Sequence, residues 1–335
     1  MHQATILIIT DNLKDQINGV VTTYKNIEIC AASDGYNVVV LDPGWFRYID
    51  CPGYNEVKIA YPRNMGKKIQ EIAPDYIHIA TEGPLGCWAR KYLSLAGIRH
   101  NTAYHTRFPE GLKILFGIPE SITWRFVRWF HKHSGKVLTT TNSMVKELQA
   151  HGFDGEVIPW TRGVDREIFN PSYREHIRKQ YLLCVSRVSK EKNLEAFFNL
   201  KYPGYQKIMV GDGPMLETYR QRYPDVTFTG FKTGVELAEY YANAEVFVFP
   251  SQWETFGIVM IEAMACGTPV AAFPVQGPED VVDQGVTGYL DKDLATAVHR
   301  CLGLNREQVL KGSQRWTWQH AWEIFRNNLV PVISV

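Results

Sequence analysis

The sequence has no long hydrophobic run: nothing in it approaches the ~18 consecutive apolar residues of a membrane-spanning helix. Met1-His2-Gln3-Ala4 leads straight into an apolar segment of strand length, without a charged leader, a long apolar stretch or a small-residue cleavage site, so no signal peptide is expected. The six cysteines, at 30, 51, 87, 184, 266 and 301, show neither CxxC pairing nor metal-ligand spacing. Their scatter speaks against a disulfide framework and a zinc site, and for reduced buried thiols in a cytoplasmic protein. An excess of charge of either sign is also missing, with 36 Lys and Arg against 35 Asp and Glu. The formal net charge is +1, which leaves no bulk electrostatic argument for nucleic acid as a partner. Low-complexity tracts and short-period repeats are missing as well.

What is present is an ordinary globular composition, with 45% apolar and 21% charged residues, over 335 residues, enough for two domains with separate cores. Aromatics reach 13%, including nine tryptophans, a supply that suits sugar-binding surfaces or a membrane interface as well as cores. Strand-length apolar segments (Thr5–Thr10, Asn37–Leu41, Tyr76–Ile79, Asn101–Tyr104, Lys136–Thr140) alternate with helix-like stretches such as Val21–Ser33, Leu85–Ala96 and Ser143–His151. These runs are apolar at nearly every position, as in parallel strands covered on both faces. The pattern restarts with Tyr181–Val185, Lys207–Val210, Val226–Thr229, Val246–Phe249 and Pro269–Ala272, interleaved with Leu194–Leu200, Pro214–Tyr223, Gly234–Asn243 and Gly257–Cys266. The polar stretch Arg166–Gln180 between the two sets reads as an interdomain connection. The expectation is α/β architecture: two doubly wound, Rossmann-like domains facing a central cleft, with ligands outside the carboxyl ends of the strands.

The segment richest in chemistry is Pro250-Ser251-Gln252-Trp253-Glu254-Thr255-Phe256-Gly257, which follows a buried strand and opens a helix. Backbone N–H groups at Phe256, Gly257 and Ile258, with the positive end of the helix dipole, suit a diphosphate, and Glu262 in the second turn suits a ribose or sugar hydroxyl. A capped helix carrying an acidic residue is the plainer reading of the same letters. Arg187 and Lys192, across the loop after Tyr181–Val185, can converge on one anion, or form a solvated basic loop. Val210-Gly211-Asp212-Gly213-Pro214 is a glycine turn into a helix. In the first half, Asp11–Val21 with Asn18-Gly19-Val20 lies where a doubly wound domain keeps its ligand loop, but it lacks GxGxxG, so a dinucleotide site is not supported. Ala80-Thr81-Glu82-Gly83-Pro84-Leu85-Gly86 and Tyr104-His105-Thr106 also follow strands.

These residues together resemble retaining glycosyltransferase family 4, of the GT-B fold, over nearly the whole chain. Glu254 and Glu262 fit that family's E-x7-E pattern within P-S-x-x-E-T-F-G-x-x-x-x-E-A-M-A-x-G-x-P-V. Arg187 and Lys192 fit S-R-x-x-x-E-K-N, and Trp160–Asp165 with Phe169-Asn170-Pro171 fits R-G-V-D-x-x-x-F-x-P. Asn18-Gly19-Val20, Thr81–Gly86 and Tyr104-His105-Thr106 look most like the branch of sulfoquinovosyldiacylglycerol synthases and GDP-mannose-dependent α-mannosyltransferases.

The resemblance implies an acceptor-side domain at 1–165, a donor domain at 166–312 and a C-terminal helix, 313–335, crossing back to the first domain. It implies that Arg187 and Lys192 bind the donor diphosphate and stabilise the leaving group, assisted by the backbone around Phe256, Gly257 and Ile258. It implies that Glu254 holds hydroxyls of the transferred sugar and Glu262 the ribose. Gly19 makes room for the diphosphate, His105 lies beside the reacting sugar and hydrogen-bonds a donor hydroxyl, and Asp11, Asn18, Glu82 and Arg162 are further substrate-side candidates. The implied reaction is transfer of a hexose, mannose- or glucose-like, from a UDP- or GDP-linked nucleotide sugar to a lipid or glycan, with retention and without a metal. The alternatives are a GT-B sugar-nucleotide epimerase or phosphorylase, and a non-catalytic nucleotide-sugar-binding module. Asp291-Lys292-Asp293 matches a D-x-D metal motif, but it precedes a helix-like run, so Asp293 is expected to be an N-cap. Trp124–His133 is basic, aromatic and amphipathic; packing of Trp124, Val127 and Phe130 into the first domain is expected, compatible with peripheral contact at the inner face of a membrane.

Overall fold

The computed structural model describes residues 3–51, 54–175 and 180–332. The chain divides into two compact units, Met1–Arg162 with Trp318–Val335, and Gly163–Thr317. The polar stretch 166–180 falls with the second unit, and its residues 176–179 lie outside the described residues.

In the first unit the strands are β1 (Thr5–Ile9), β2 (Asn37–Leu41), β3 (Arg47–Cys51), β4 (Tyr54–Tyr61), β5 (Tyr76–Ile79), β6 (Asn101–Tyr104), β7 (Val137–Thr139) and β8 (Val157–Pro159). Six of them form a parallel sheet in the order β2-β1-β5-β6-β7-β8. The chain leaves β1 toward β2 on one side and returns to β5 on the other, so a topological switch point opens between β1 and β5. Ile6, Leu7, Ile8 and Ile9 of the central strand are fully buried, each worth ~1.5–3 kcal/mol of hydrophobic stabilisation. Strands β3 and β4 pair antiparallel as a separate hairpin. The apolar-run criterion passes over it because Arg47, Tyr48, Ile49 and Asp50 all lie exposed. It passes over β8 because only Val157 of its three residues is buried.

Helices cover the sheet. Gly19–Ser33 starts on Asn18, whose side-chain oxygen accepts from the amides of Val20 and Val21 at 3.0 Å each. Glu120–His131 buries Trp124, Val127 and Phe130 while leaving Ile122 and Trp129 exposed, so its apolar stripe is a core face. The last helix, Trp318–Asn327, packs on Gly19–Ser33 and buries Trp318, Trp322 and Phe325. There the indole of Trp322 donates to the Asp34 carboxylate at 2.7 Å, and Arg326 reaches the same oxygen at 2.7 Å. Trp316 belongs instead to the second unit, its ring edge-on to Phe256 with centroids 5.3 Å apart.

The second unit contains β9 (Tyr181–Val185), β10 (Gln206–Val210), β11 (Val226–Gly230), β12 (Val246–Phe249), β13 (Val270–Ala272) and β14 (Gly288–Leu290). They form a parallel sheet in the order β11-β10-β9-β12-β13-β14, with its switch point between β9 and β12. Asp293 caps the helix Leu294–Cys301, accepting from the amides of Ala295 and Thr296. Among the described residues no helix is long and apolar enough to cross a membrane.

Candidate functional site

In the second unit the residues singled out in the sequence gather at the β9/β12 switch point. The loop after β9 carries Arg187 and Lys192; the loop after β12 carries Glu254 and leads into the helix Ile258–Ala265. The ammonium of Lys192 meets Glu254 Oε1 at 2.5 Å, and the Ser251 hydroxyl donates to the same oxygen at 3.2 Å. Asn193, in the left-handed conformation at φ 52°, donates from its side chain to the Pro250 carbonyl at 3.0 Å and ties the two loops together. Burial opposes the charge of Lys192, but the attraction and hydrogen bond of Glu254 outweigh it and hold the ammonium above its ordinary range. Arg187 is exposed on the same loop, near enough for its charge to act against that of Lys192.

Two glycines set this geometry. A Cβ on Gly213 would come within 2.5 Å of the Val188 carbonyl oxygen, so only glycine lets the loop after β10 lie against the Arg187 loop. There Val188 donates to the Asp212 carbonyl at 2.8 Å and Met215 to the Val188 carbonyl at 3.0 Å. Gly257 enters the helix Ile258–Ala265 at φ 85°, and as the residue before the first turn it brings no side chain of its own to cap that end. Phe256, buried against Trp316, fixes the backbone whose amides at Phe256, Gly257 and Ile258 begin the helix. A glycine-led helix start on the loop that also carries the partner of Lys192 is a natural place for an anion. Glu262, further along the helix, has its own partner: its carboxylate accepts from the Tyr241 hydroxyl at 3.0 Å, and burial pushes its pKa up to about 7.

The first unit's candidates are engaged differently. The carboxylate of Asp11 accepts from the amides of Leu85 at 2.6 Å and Gly86 at 3.2 Å and from the Thr81 hydroxyl at 2.7 Å. Asp11 thereby caps the helix Pro84–Leu95 from across the β1/β5 switch point, and burial raises its pKa to about 6. Asn18 is occupied as the helix cap and also donates to Asn12 at 3.0 Å. Gly19 is exposed in the first turn behind it. Glu82 is buried, its Oε1 3.4 Å from His131 Nε2. His105 and Arg162 come together, with the guanidinium 2.8 Å from His105 Nδ1 and also donating to the carbonyls of Trp160 at 2.7 Å and Thr161 at 2.9 Å. The other ring nitrogen of His105 lies 2.8 Å from the Tyr24 hydroxyl, which in turn lies 2.7 Å from His78 Nε2.

Tyr24, His78, Tyr241, Asn193 and Ser251 were not singled out by sequence reasoning. A histidine inside the apolar strand Tyr76–Ile79 was a usable signal, since a buried polar group must find a partner. The tyrosines gave none, because a tyrosine on a helix's apolar face is the usual core filling.

Two family models match the chain: "Glycosyltransferase Family 4" over residues 17–168 and "Glycosyl transferases group 1" over 165–298. Sulfoquinovosyl transferase SQD2 of Arabidopsis thaliana is 30% identical over 305 residues, an alignment that takes in 82% of this chain and 60% of that protein. A GDP-mannose-dependent alpha-mannosyltransferase of Corynebacterium glutamicum is 26% identical over 318 residues, covering 85% of this chain and 76% of its own length. Among solved structures, sucrose-phosphate synthase from Thermosynechococcus elongatus superposes with a TM-score of 0.80 at 20% identity, over 97% of this chain and 99% of that one. Anabaena HepE, in complex with UDP and glucose, gives a TM-score of 0.70 at 17% identity, over 97% and 99%. These structures share the fold of two parallel-sheet, Rossmann-like units. With its two switch points and both models matched in order along the sequence, the chain belongs to glycosyltransferase family 4 and has the GT-B fold.

Proposed function

We propose that this protein is a retaining hexosyltransferase that moves a mannose- or glucose-like sugar from a nucleotide-sugar donor to a lipid or glycan acceptor. The observation that carries the reading is the β9/β12 switch point, where Lys192 pairs with Glu254 on the loop that leads into the glycine-started helix Ile258–Ala265, with the charge of Arg187 acting on Lys192. Breaking the anomeric C–O bond places negative charge on the departing diphosphate, and cationic groups with helix-start amides are what that charge needs. In this reading Lys192 exchanges its contact with Glu254 for the diphosphate. The freed Glu254 carboxylate accepts from hydroxyls of the sugar, and Arg187 supplies a second, forked cation.

Glu262, held near neutrality in its apolar setting, accepts from the ribose, and Gly19 leaves space at the first unit's loop. Asp11, Asn18, Glu82 and Arg162 act on the substrate side by fixing the loops and His105. With no carboxylate assigned as nucleophile, the acceptor attacks the same face from which the diphosphate leaves, and a leaving-group oxygen takes the acceptor's proton. The test is incubation with UDP- and GDP-hexoses and a lipid or glycan acceptor, following nucleotide release and the anomeric configuration of the product by NMR. An α-linked product from an α-linked donor supports the reading. An inverted product, or isomerised donor without transfer, overturns it.

A further inference from the structure

Four buried polar side chains of the first unit form a single hydrogen-bonded row whose direction can be worked out atom by atom. Arg162, His105, Tyr24 and His78 are all buried, with Trp160 and Phe325 walling the row. A guanidinium has donors only, so at 2.8 Å it must donate to His105 Nδ1, which therefore carries no proton. The neutral ring then holds its proton on Nε2 and donates to the Tyr24 oxygen at 2.8 Å. Tyr24 has one proton to give, and it goes to His78 Nε2 at 2.7 Å, leaving the His78 proton on Nδ1, which is buried without a hydrogen-bond partner. Every donor in the row points the same way, away from Arg162. Two neutral histidines are thus held as opposite tautomers.

We propose that Arg162, Tyr24 and His78 are positioning residues for His105, locking its imidazole as the neutral Nε2–H tautomer with neither nitrogen available to titrate or to turn. This rests on the reading that His105 lies beside the reacting sugar. The lock has a chemical use there. The sugar ring gains positive charge as the anomeric bond breaks, and an imidazolium beside it would oppose that charge, whereas a ring held neutral does not. Arg162 enforces neutrality directly, because a proton on Nδ1 would set two cations 2.8 Å apart in a buried place.

The other ionisable groups whose charges reach the row are Glu82, His100 and His131. Burial acts in the same direction as Arg162 and takes His105 well below the ordinary imidazole range and His78 to about 3. The proposal also alters what His105 can do. With both nitrogens engaged, it shapes the sugar subsite as a fixed ring and does not shuttle a proton.

The test begins on the unmodified protein, by 15N NMR of its histidine side chains between pH 8 and pH 5.5. The expected result is one ring protonated on Nε2 and a second on Nδ1, assigned through His105→Gln and His78→Gln, with neither titrating. A proton on His105 Nδ1, or titration of His105 near its ordinary value, overturns the proposal without the aid of any variant or activity. The second measurement is Tyr24→Phe. The expected outcome is a fall in kcat of at least tenfold, donor KM within about twofold, and a new ionisation in the kcat profile between pH 5 and 8. Nucleoside diphosphate affinity stays within twofold, which checks that the protein is folded. If the variant binds nucleotide and keeps the unmodified kcat and pH profile, the row is only structural and the proposal fails, while the transferase reading stands. If the unmodified protein binds nucleotide but transfers no sugar, the transferase reading fails and the positioning role falls with it, whatever the tautomers.

Discussion

The two units place their candidate residues at equivalent topological positions and treat them in opposite ways. At the β1/β5 switch point the acidic group is spent inside the fold: Asp11 caps the helix Pro84–Leu95, and burial leaves it titrating at about 6. Nearby, His105 is neutral and held at both ring nitrogens. At the β9/β12 switch point the charges are kept and stand partly open to solvent, with Lys192 and Glu254 paired at 2.5 Å and the helix beyond them led by a glycine. One fold therefore yields a wall whose polar groups are spent on one another in one unit, and in the other a charged pair that the proposed reading makes exchangeable. The difference follows from what stands at each helix start: a buried carboxylate accepts from the amides in the first unit, and in the second the N-cap is a glycine with no side chain of its own.

The largest effect expected from breaking this contrast is at Lys192. Lys192→Ala removes the cation that answers the leaving diphosphate and should lower kcat/KM on the order of 10²–10³-fold, measured with saturating acceptor. Lys192→Arg should recover part of the loss, because the charge is kept while the shape changes.

How much of this contrast was legible beforehand divides along the same line. Lys192, Glu254 and Glu262 could be read because loop motifs after strands carry their spacing in the sequence. The parallel strands could be read because both faces are buried, which leaves continuous apolar runs such as Ile6–Ile9. The hairpin β3–β4 and the short strands β8 and β14 could not, since they are exposed or buried at one residue only, whereas the equally short β7 and β13 are buried throughout. The row from Arg162 to His78 was illegible for a different reason. Its members are far apart in the chain, and only the packing of the helix Gly19–Ser33 on the sheet brings Tyr24 between two histidines.

The next effect in size comes from Asp11. Asp11→Ala strips the Leu85 and Gly86 amides of their acceptor and should cost ~1–2 kcal/mol of stability, read as a lower midpoint in denaturant. A variant as stable as the unmodified protein would show that the first switch point is not closed by this carboxylate.

Glu262 sharpens the comparison through pH. Its folded value near 7 lies above the ordinary glutamate value of ~4.3, so between these limits the folded protein holds a proton that the unfolded chain has released. Stability from this group is therefore full below the ordinary value and is lost as pH rises through about 7, at up to ~1.4 kcal/mol per pH unit. Glu262→Gln removes this dependence, so its melting temperature should gain on the unmodified protein from pH 5 to pH 8. Nucleotide affinity should fall about tenfold in the same variant, ~1.4 kcal/mol. A parallel pair of melting curves across that range would contradict the assignment. Smallest of all, Asp293→Ala should slightly lower the melting temperature by uncapping the helix Leu294–Cys301, with the loss seen in thermal unfolding.

The claim at the centre of the account is that the donor's diphosphate displaces Glu254 from Lys192 at the second switch point. Calorimetric titration of UDP and of GDP into the unmodified protein and into Lys192→Ala tests it most directly. One nucleoside diphosphate is expected to bind the unmodified protein, and to bind the variant at least tenfold more weakly. Equal affinity for the two proteins would contradict it.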